Sequence, residues 1–228
     1  MNSSEICRGI ESLVVEHLKE ILSKRCTGRL KPDNTIVSDG DILCQDLLFK
    51  YIADNLDNCY IISEESDNDT TTLGKYEYLV TIDPIDGTEN FVSGLKEWGI
   101  GVSIYKHMKH EFSMILLPEL GECLRTGDEV DRINTSRICG LSSYMTPSDF
   151  DSLSKKFEYR IMGCCMYNMF NVIRGSYQQF QHLKGCYSWD ILPGLNIALE
   201  NGLNVEVEGE KYNGEFLYPN IKYRFVVK

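Results

Sequence analysis

The run Tyr76 to Ile82, continued by Asp83-Pro84-Ile85-Asp86-Gly87-Thr88-Glu89-Asn90-Phe91, constrains this chain more than any other segment. Its β-branched and aromatic residues read as a strand that delivers Asp83 at its end. Pro84 is expected to turn the chain there, and Asp86 follows three residues after Asp83. Gly87 lets the backbone approach another group closely, and a helix start follows at Thr88. Two carboxylates at a strand end combine a cation site with the free amides of a helix N-terminus, which suit phosphate oxygens. Taken alone, the pattern D-x-x-D-G-T also fits an Asx turn with a helix cap.

Elsewhere the periodicity gives helices and strands in irregular order. Residues 5–23 carry Ile6, Ile10, Leu13, Val14, Leu18, Ile21 and Leu22 on one helical face, with Asn2 and Glu5 spaced as a capping box. A polar, basic stretch (23–35) leads to a second predicted helix over 39–56, with Ser38 and Asp41 in capping-box spacing. Short β runs follow at 59–63, 76–82, 99–105, 111–117 and 122–125, the first two separated by the acidic loop 64–75. Residues 126–146 show little periodicity. Thr146-Pro147-Ser148-Asp149 then announces a helix. A strand at 159–162 passes through Gly163-Cys164-Cys165 into a helix ending near Gly175, whose Met166, Met169 and Phe170 read as core. A strand at 177–181, a helix at 190–201 stopped by Gly202, and strands at 204–207 and 223–227 complete the reading. No repeat or linker divides the 228 residues, so a single mixed α/β (α+β) domain spanning 1–228 is expected.

Composition narrows the function classes. The chain has 34 acidic and 23 basic residues and a formal charge of −11, which argues against nucleic acid or an anionic membrane as partner. No apolar run reaches 18 residues, and the acidic, amphipathic start is unlike a secretory signal, so a cytoplasmic location is expected. Nine cysteines without a C-x-x-C pair read as reduced thiols, several of them buried. Adjacent Cys164 and Cys165 are weak evidence of redox chemistry, and His107-x-x-His110 reads as an exposed turn rather than a zinc site.

The string D-P-I-D-G-T-x-N-F at 83–91 resembles the signature of the inositol monophosphatase family of magnesium-dependent, lithium-sensitive phosphatases. Ile61-Ile62-Ser63-Glu64-Glu65-Ser66 resembles that family's strand-borne G-E-E-S, with Ser63 in place of Gly. Val37-Ser38-Asp39-Gly40-Asp41 resembles V-T-x-x-D, and Trp189-Asp190 running into Glu200-Asn201-Gly202 resembles the W-D…E-A-G-G block. The four pieces occur in the family's order, from about Lys31 to Val207. The resemblance implies a layered αβαβα sandwich of the inositol monophosphatase and fructose-1,6-bisphosphatase type. Residues 1–125 would carry the metal site, and residues 126–228 would contribute Asp190.

It also implies a Mg²⁺-dependent phosphomonoesterase with two or three ions. One ion would take Glu64, Asp83 and the Ile85 carbonyl; a second Asp83, Asp86 and Asp190; a third Glu64 and mostly water. Asp41 and Thr88 would orient and deprotonate the attacking water. Gly87 and Thr88 would hold the phosphate, with Asp86, Gly163 and Cys164 beside the substrate. The implied substrate is a small phosphorylated alcohol such as inositol 1-phosphate, and the implied assembly a homodimer. The residues themselves leave other readings open, with Glu64 as a solvated loop residue and Asp190 or Asp41 as caps alone. A non-enzymatic binding protein that keeps the fold is a second class. Departures concern the leaving-group side: Gly127-Asp128-Glu129 replaces G-x-G-A, Gly163-Cys164-Cys165 replaces G-T-A or G-S-A, and Leu183 stands where a Glu is common. Those departures leave other phosphorylated substrates open, among them histidinol phosphate, fructose 1,6-bisphosphate and adenosine 3′,5′-bisphosphate.

Overall fold

Both N-terminal helices begin with the capping boxes that the sequence carries. In α1 (Ser3–Ser23) the Asn2 side chain accepts the Glu5 amide while the Glu5 carboxylate accepts the Asn2 amide, and Ser38 and Asp41 do the same for α2 (Asp39–Asn55). Between them a small hairpin pairs β1 (Arg29–Leu30) with β2 (Ile36–Val37). The structure is a computed structural model that describes residues 1–228 except 33, 144 and 152.

A five-stranded sheet follows in the order β3 (Cys59–Ser63), β4 (Tyr78–Asp86), β5 (Gly99–Lys106), β6 (Lys109–Leu117), β7 (Glu122–Arg125). β3 and β4 are parallel and the remaining pairs antiparallel. A five-residue helix, α3 (Thr88–Val92), leaves the end of β4. Strict alternation assigns the two faces. Val80, Ile82, Val102, Ile104 and Met114 pack on Ile6, Ile10, Cys44 and Leu48 of α1 and α2, while Leu79, Tyr105 and Ile115 face the opposite way. Full burial of each such aliphatic side chain contributes about 1.5–3 kcal/mol.

The second sheet contains β8 (Ile138–Leu141), β9 (Glu158–Ile161), β10 (Gln179–Cys186), β11 (Val205–Val207), β12 (Glu210–Lys211) and β13 (Tyr223–Val227), in the spatial order β12-β11-β13-β10-β8-β9. Between the two sheets lie α5 (Cys165–Ile173) and α6 (Ser188–Glu200), with Met169, Phe170, Ile191, Leu195 and Ile197 in one core with Phe180, Phe225 and Val227. One further helical element, α4 (Pro147–Phe150), is a single turn in the β8–β9 connection, tied to β10 by a 3.0 Å Lys184–Asp149 ion pair. The layers therefore run α, β, α, β with a residual fifth. No described helix is long and apolar enough to cross a membrane.

Three local expectations are corrected. Pro84 does not turn the chain: β4 continues to Asp86 with a bulge, since Asp83 pairs Gly101 and Asp86 pairs Gly99. A proline is tolerated at a bulge because the ladder bond it cannot donate is already missing. Strand β8 lies in the stretch that lacks periodicity, because Ile138-Cys139-Gly140-Leu141 is short, nearly all buried and interrupted by Gly. Helix α6 begins two residues before Asp190, which moves Pro193 into the second turn, where it deprives the Trp189 carbonyl of its helical donor.

Candidate active site

Parallel pairing of Ser63 with Ile82 sets the end of β3 beside the bulge of β4, so Glu64, just past β3, and Asp83, still paired with Gly101, are neighbours. Asp190 arrives from the first turn of α6, where its Oδ2 accepts the Tyr187 amide at 2.8 Å. Carboxylate oxygens of Glu64, Asp83 and Asp190 lie within 4.8 Å of one another. Close approach of the second layer is possible because β5 carries glycine opposite Asp83. A Cβ on Gly101 would meet the Met166 thioether carbon at 2.1 Å and Pro193 at 3.1 Å.

Asp83 is fully buried, and neither of its oxygens meets a hydrogen-bond donor among the described residues. Burial, then the charges of Glu64, Asp86 and Asp190, push its carboxyl well above the usual range. Burial and Asp190 push Glu64 up to about 8, and burial and Asp86 push Asp190 up to about 7. An acid cluster of this kind holds protons unless cations replace them. The donor set, all oxygen and in part unsatisfied, fits hard divalent ions such as Mg²⁺.

Asp86 stands beside this trio rather than within it. Its Oδ2 accepts the Met166 amide at the start of α5 and the Cys164 thiol at 3.0 Å. Burial raises its carboxyl to about 6, and those donors hold it below its neighbours. Gly87 follows at φ 82°, a conformation that favours glycine, and a Cβ there would strike Cys164 Cβ at 2.9 Å. Asn90 secures this junction by donating to the Met162 and Glu97 carbonyls at 2.6 and 2.7 Å. Gly87, Thr88, Gly163 and Cys164 thus share one wall of the cleft.

Thr88 donates its hydroxyl to Asp41 Oδ1 at 2.9 Å and lies 3.1 Å from the Ile85 carbonyl oxygen. The other oxygen of Asp41 accepts the Ser38 amide and hydroxyl, at 2.8 and 2.6 Å. Asp41 is fully buried, which raises its carboxyl despite these donors.

The sequence motifs contain no cation, yet the structure brings one. Lys31 follows β1, and its Nζ donates to Glu64 at 3.0 Å and Glu65 at 2.5 Å. Burial opposes its charge, but the two glutamates outweigh that and raise its ammonium above the ordinary lysine value. Its place in the polar stretch before α2 gave no periodic or motif signal.

The cleft has a volume of about 1270 Å³ and is also lined by Phe180, His182, Tyr187, Trp189 and Lys222. Leu183 is not among its lining residues, and neither are Gln181 or Glu158. Alternation along β10 turns Phe180 and His182 toward the cleft, so the Leu183 position cannot replace a substrate-contacting Glu. Cys164 and Cys165 also diverge: one thiol faces Asp86, the other Cys186.

A model of the inositol monophosphatase family matches residues 5–138. The chain is 29% identical over 107 residues to the 3′(2′),5′-bisphosphate nucleotidase CysQ of Aggregatibacter actinomycetemcomitans, a match covering 46% of this chain and 40% of that protein. That match spans about two fifths of the relative's length. Against the fructose-1,6-bisphosphatase/inositol-1-monophosphatase of Thermotoga maritima it is 28% identical over 166 residues, 64% of each chain. Among solved structures, an IMPase/NADP phosphatase complexed with Mg²⁺ and phosphate superposes with a TM-score of 0.81 at 17% identity, covering 98% of this chain and 88% of the other.

Proposed function

Because the chain belongs to the inositol monophosphatase family, we propose that it is a Mg²⁺-dependent phosphomonoesterase acting on a small phosphorylated alcohol of the inositol 1-phosphate kind. The observation that carries this reading is Asp83, buried without a donor and flanked by Glu64 and Asp190. In this reading residues 1–228 work as one phosphatase domain, located in the cytoplasm and assembled as a homodimer.

Glu64, Asp83 and Asp190, with the Ile85 carbonyl and the open oxygen of Asp86, are the proposed ligands for two or three Mg²⁺. Bound Mg²⁺ supplies charge neutralisation for the phosphate and lowers the pKa of a water. Thr88 Oγ1 accepts a proton from the attacking water while its own proton passes to Asp41 Oδ1, already 2.9 Å away. Asp41 suits that task because burial makes its carboxyl a better proton acceptor than an exposed aspartate. The amides of Gly87 and Thr88 orient the phosphate, and the Met166 amide and Cys164 thiol fix the rotamer of Asp86.

A second reading, a nucleotide 3′-phosphatase, has support from one feature. Lys222 lies over Tyr187 at the cleft wall, a cation that suits the second phosphate of a nucleoside bisphosphate. Phosphate release from inositol 1-phosphate, adenosine 3′,5′-bisphosphate and glycerol 2-phosphate, with Mg²⁺ or with EDTA, tests both. Turnover of the first in Mg²⁺ alone is expected; no turnover of any phosphomonoester in Mg²⁺ overturns the enzyme reading.

A further inference from the structure

A second cluster of ligating side chains borders the cleft without belonging to the carboxylate site. Cys165 opens α5, and His182 and Cys186 lie in β10; both sulfurs and an imidazole nitrogen fall within 4.8 Å of one another. The sulfurs are 4.0 Å apart. Tetrahedral zinc with Zn–S bonds of about 2.3 Å holds two sulfurs about 3.8 Å apart. A disulfide needs about 2.05 Å.

The imidazole points to a ligand independently. His182 is only 4% exposed, yet its Nδ1 has no hydrogen-bond partner among the described residues. Buried polar atoms are rarely left so, and a metal ion satisfies one. The ring is held in place by stacking on Phe225 at 5.9 Å.

We propose that Cys165, His182 and Cys186 form a separate site for a thiophilic divalent cation, Zn²⁺ being the natural occupant. Two sulfurs and one imidazole are a soft donor set that Mg²⁺ declines, whereas the carboxylate trio is a hard one. The two sites therefore sort metals by chemistry. The neighbouring Cys186, burial and the charges of Asp86 and Asp190 all raise the Cys165 thiol, so it keeps its proton until an ion arrives. Binding releases the protons of both thiols. Three protein ligands leave a fourth position, and all three residues line the cleft that holds Asp190. An ion here cross-links α5 to the end of β10, four residues before Asp190.

Cobalt is the probe. Reduced protein spanning residues 1–228, in excess Mg²⁺, is titrated with Co²⁺ and its absorption recorded. A thiolate-to-cobalt charge-transfer band saturating at one ion per chain, and erased by Zn²⁺, is expected. Cys186→Ser and His182→Gln should each weaken binding by at least about tenfold, while Asp83→Asn should leave the band intact. Absence of the band in the wild-type protein overturns the proposal whatever the variants do. So does a band that survives Cys186→Ser, or one that disappears in Asp83→Asn.

Discussion

Thr88 and Asp41 are joined by a 2.9 Å hydrogen bond that links the first turn of α3 to the first turn of α2. The bond does two jobs, which substitutions separate. Thr88→Val leaves Asp41 Oδ1 buried without that donor, at a cost of about 1–3 kcal/mol in stability. It also removes the proton relay, so kcat should fall by about 10²–10⁴-fold. Thr88→Ser restores the hydroxyl and should recover most of both. Thermal melts and phosphate-release kinetics on the pair check this; a Val variant with wild-type kcat would remove Thr88 from the relay.

Asp83→Asn should move stability in opposite directions with and without metal. Lacking Mg²⁺, the folded chain must protonate Asp83, an acid that is ionised when unfolded, and the amide removes that cost, so the metal-free Tm should rise. Wild-type protein at a hundredfold excess over Kd gains about 2.7 kcal/mol from binding. That gain corresponds to roughly 5–10 °C in Tm for a chain of this size. The variant should lose most of the response, which a melt series from 0 to 10 mM Mg²⁺ reads directly.

Leu183→Glu should leave substrate preference alone. Its position on β10 lies outside the cleft lining, so the ratio of inositol 1-phosphate to glycerol 2-phosphate turnover should stay within about threefold of wild type. A selective gain for inositol 1-phosphate would mean that β10 shifts register when substrate binds.

Acid stability should depend on His110. Burial lowers its imidazole from the usual 6.5 to about 4, against a backbone hydrogen bond at Phe112 and the charge of Glu111, and its Nε2 lies 2.8 Å from Ser113 Oγ. The unfolded chain then binds the extra proton first. The folded state keeps this contribution in full above about pH 6.5 and loses it as pH falls toward 4, about 3 kcal/mol in all. His110→Gln should flatten this acid limb, measured as Tm between pH 7 and 4.5. An identical slope in both proteins would place the titration elsewhere.

Much of this was legible because the chemistry is local in sequence. Capping boxes at Asn2, Ser38 and Thr146 declare helix starts, and β3, β7 and β13 fall on the strands read from composition. Glu64, Asp83, Asp86 and Asp190 stand out because each lies at a strand end, a bulge or a helix start within a motif. What escaped is set by tertiary context. Lys31 reaches Glu64 across 33 residues through an irregular arm, and Cys165, His182 and Cys186 converge only once α5 packs on β10. Strand β8 is specified by burial between neighbours, which leaves no alternation to read.

The bulge at Pro84 has a geometric consequence for the whole site. In an unbroken pleat, side chains three positions apart point to opposite faces. Asp83 and Asp86 have that odd spacing, yet both line one cleft. The strand takes three steps, Asp83 to Asp86, while its partner takes two, Gly101 to Gly99. The surplus step corrects the parity and turns both carboxylates the same way. Their separation is therefore counted out by the ladder rather than by a flexible loop, and losing or gaining one residue there would turn one acid away from the other.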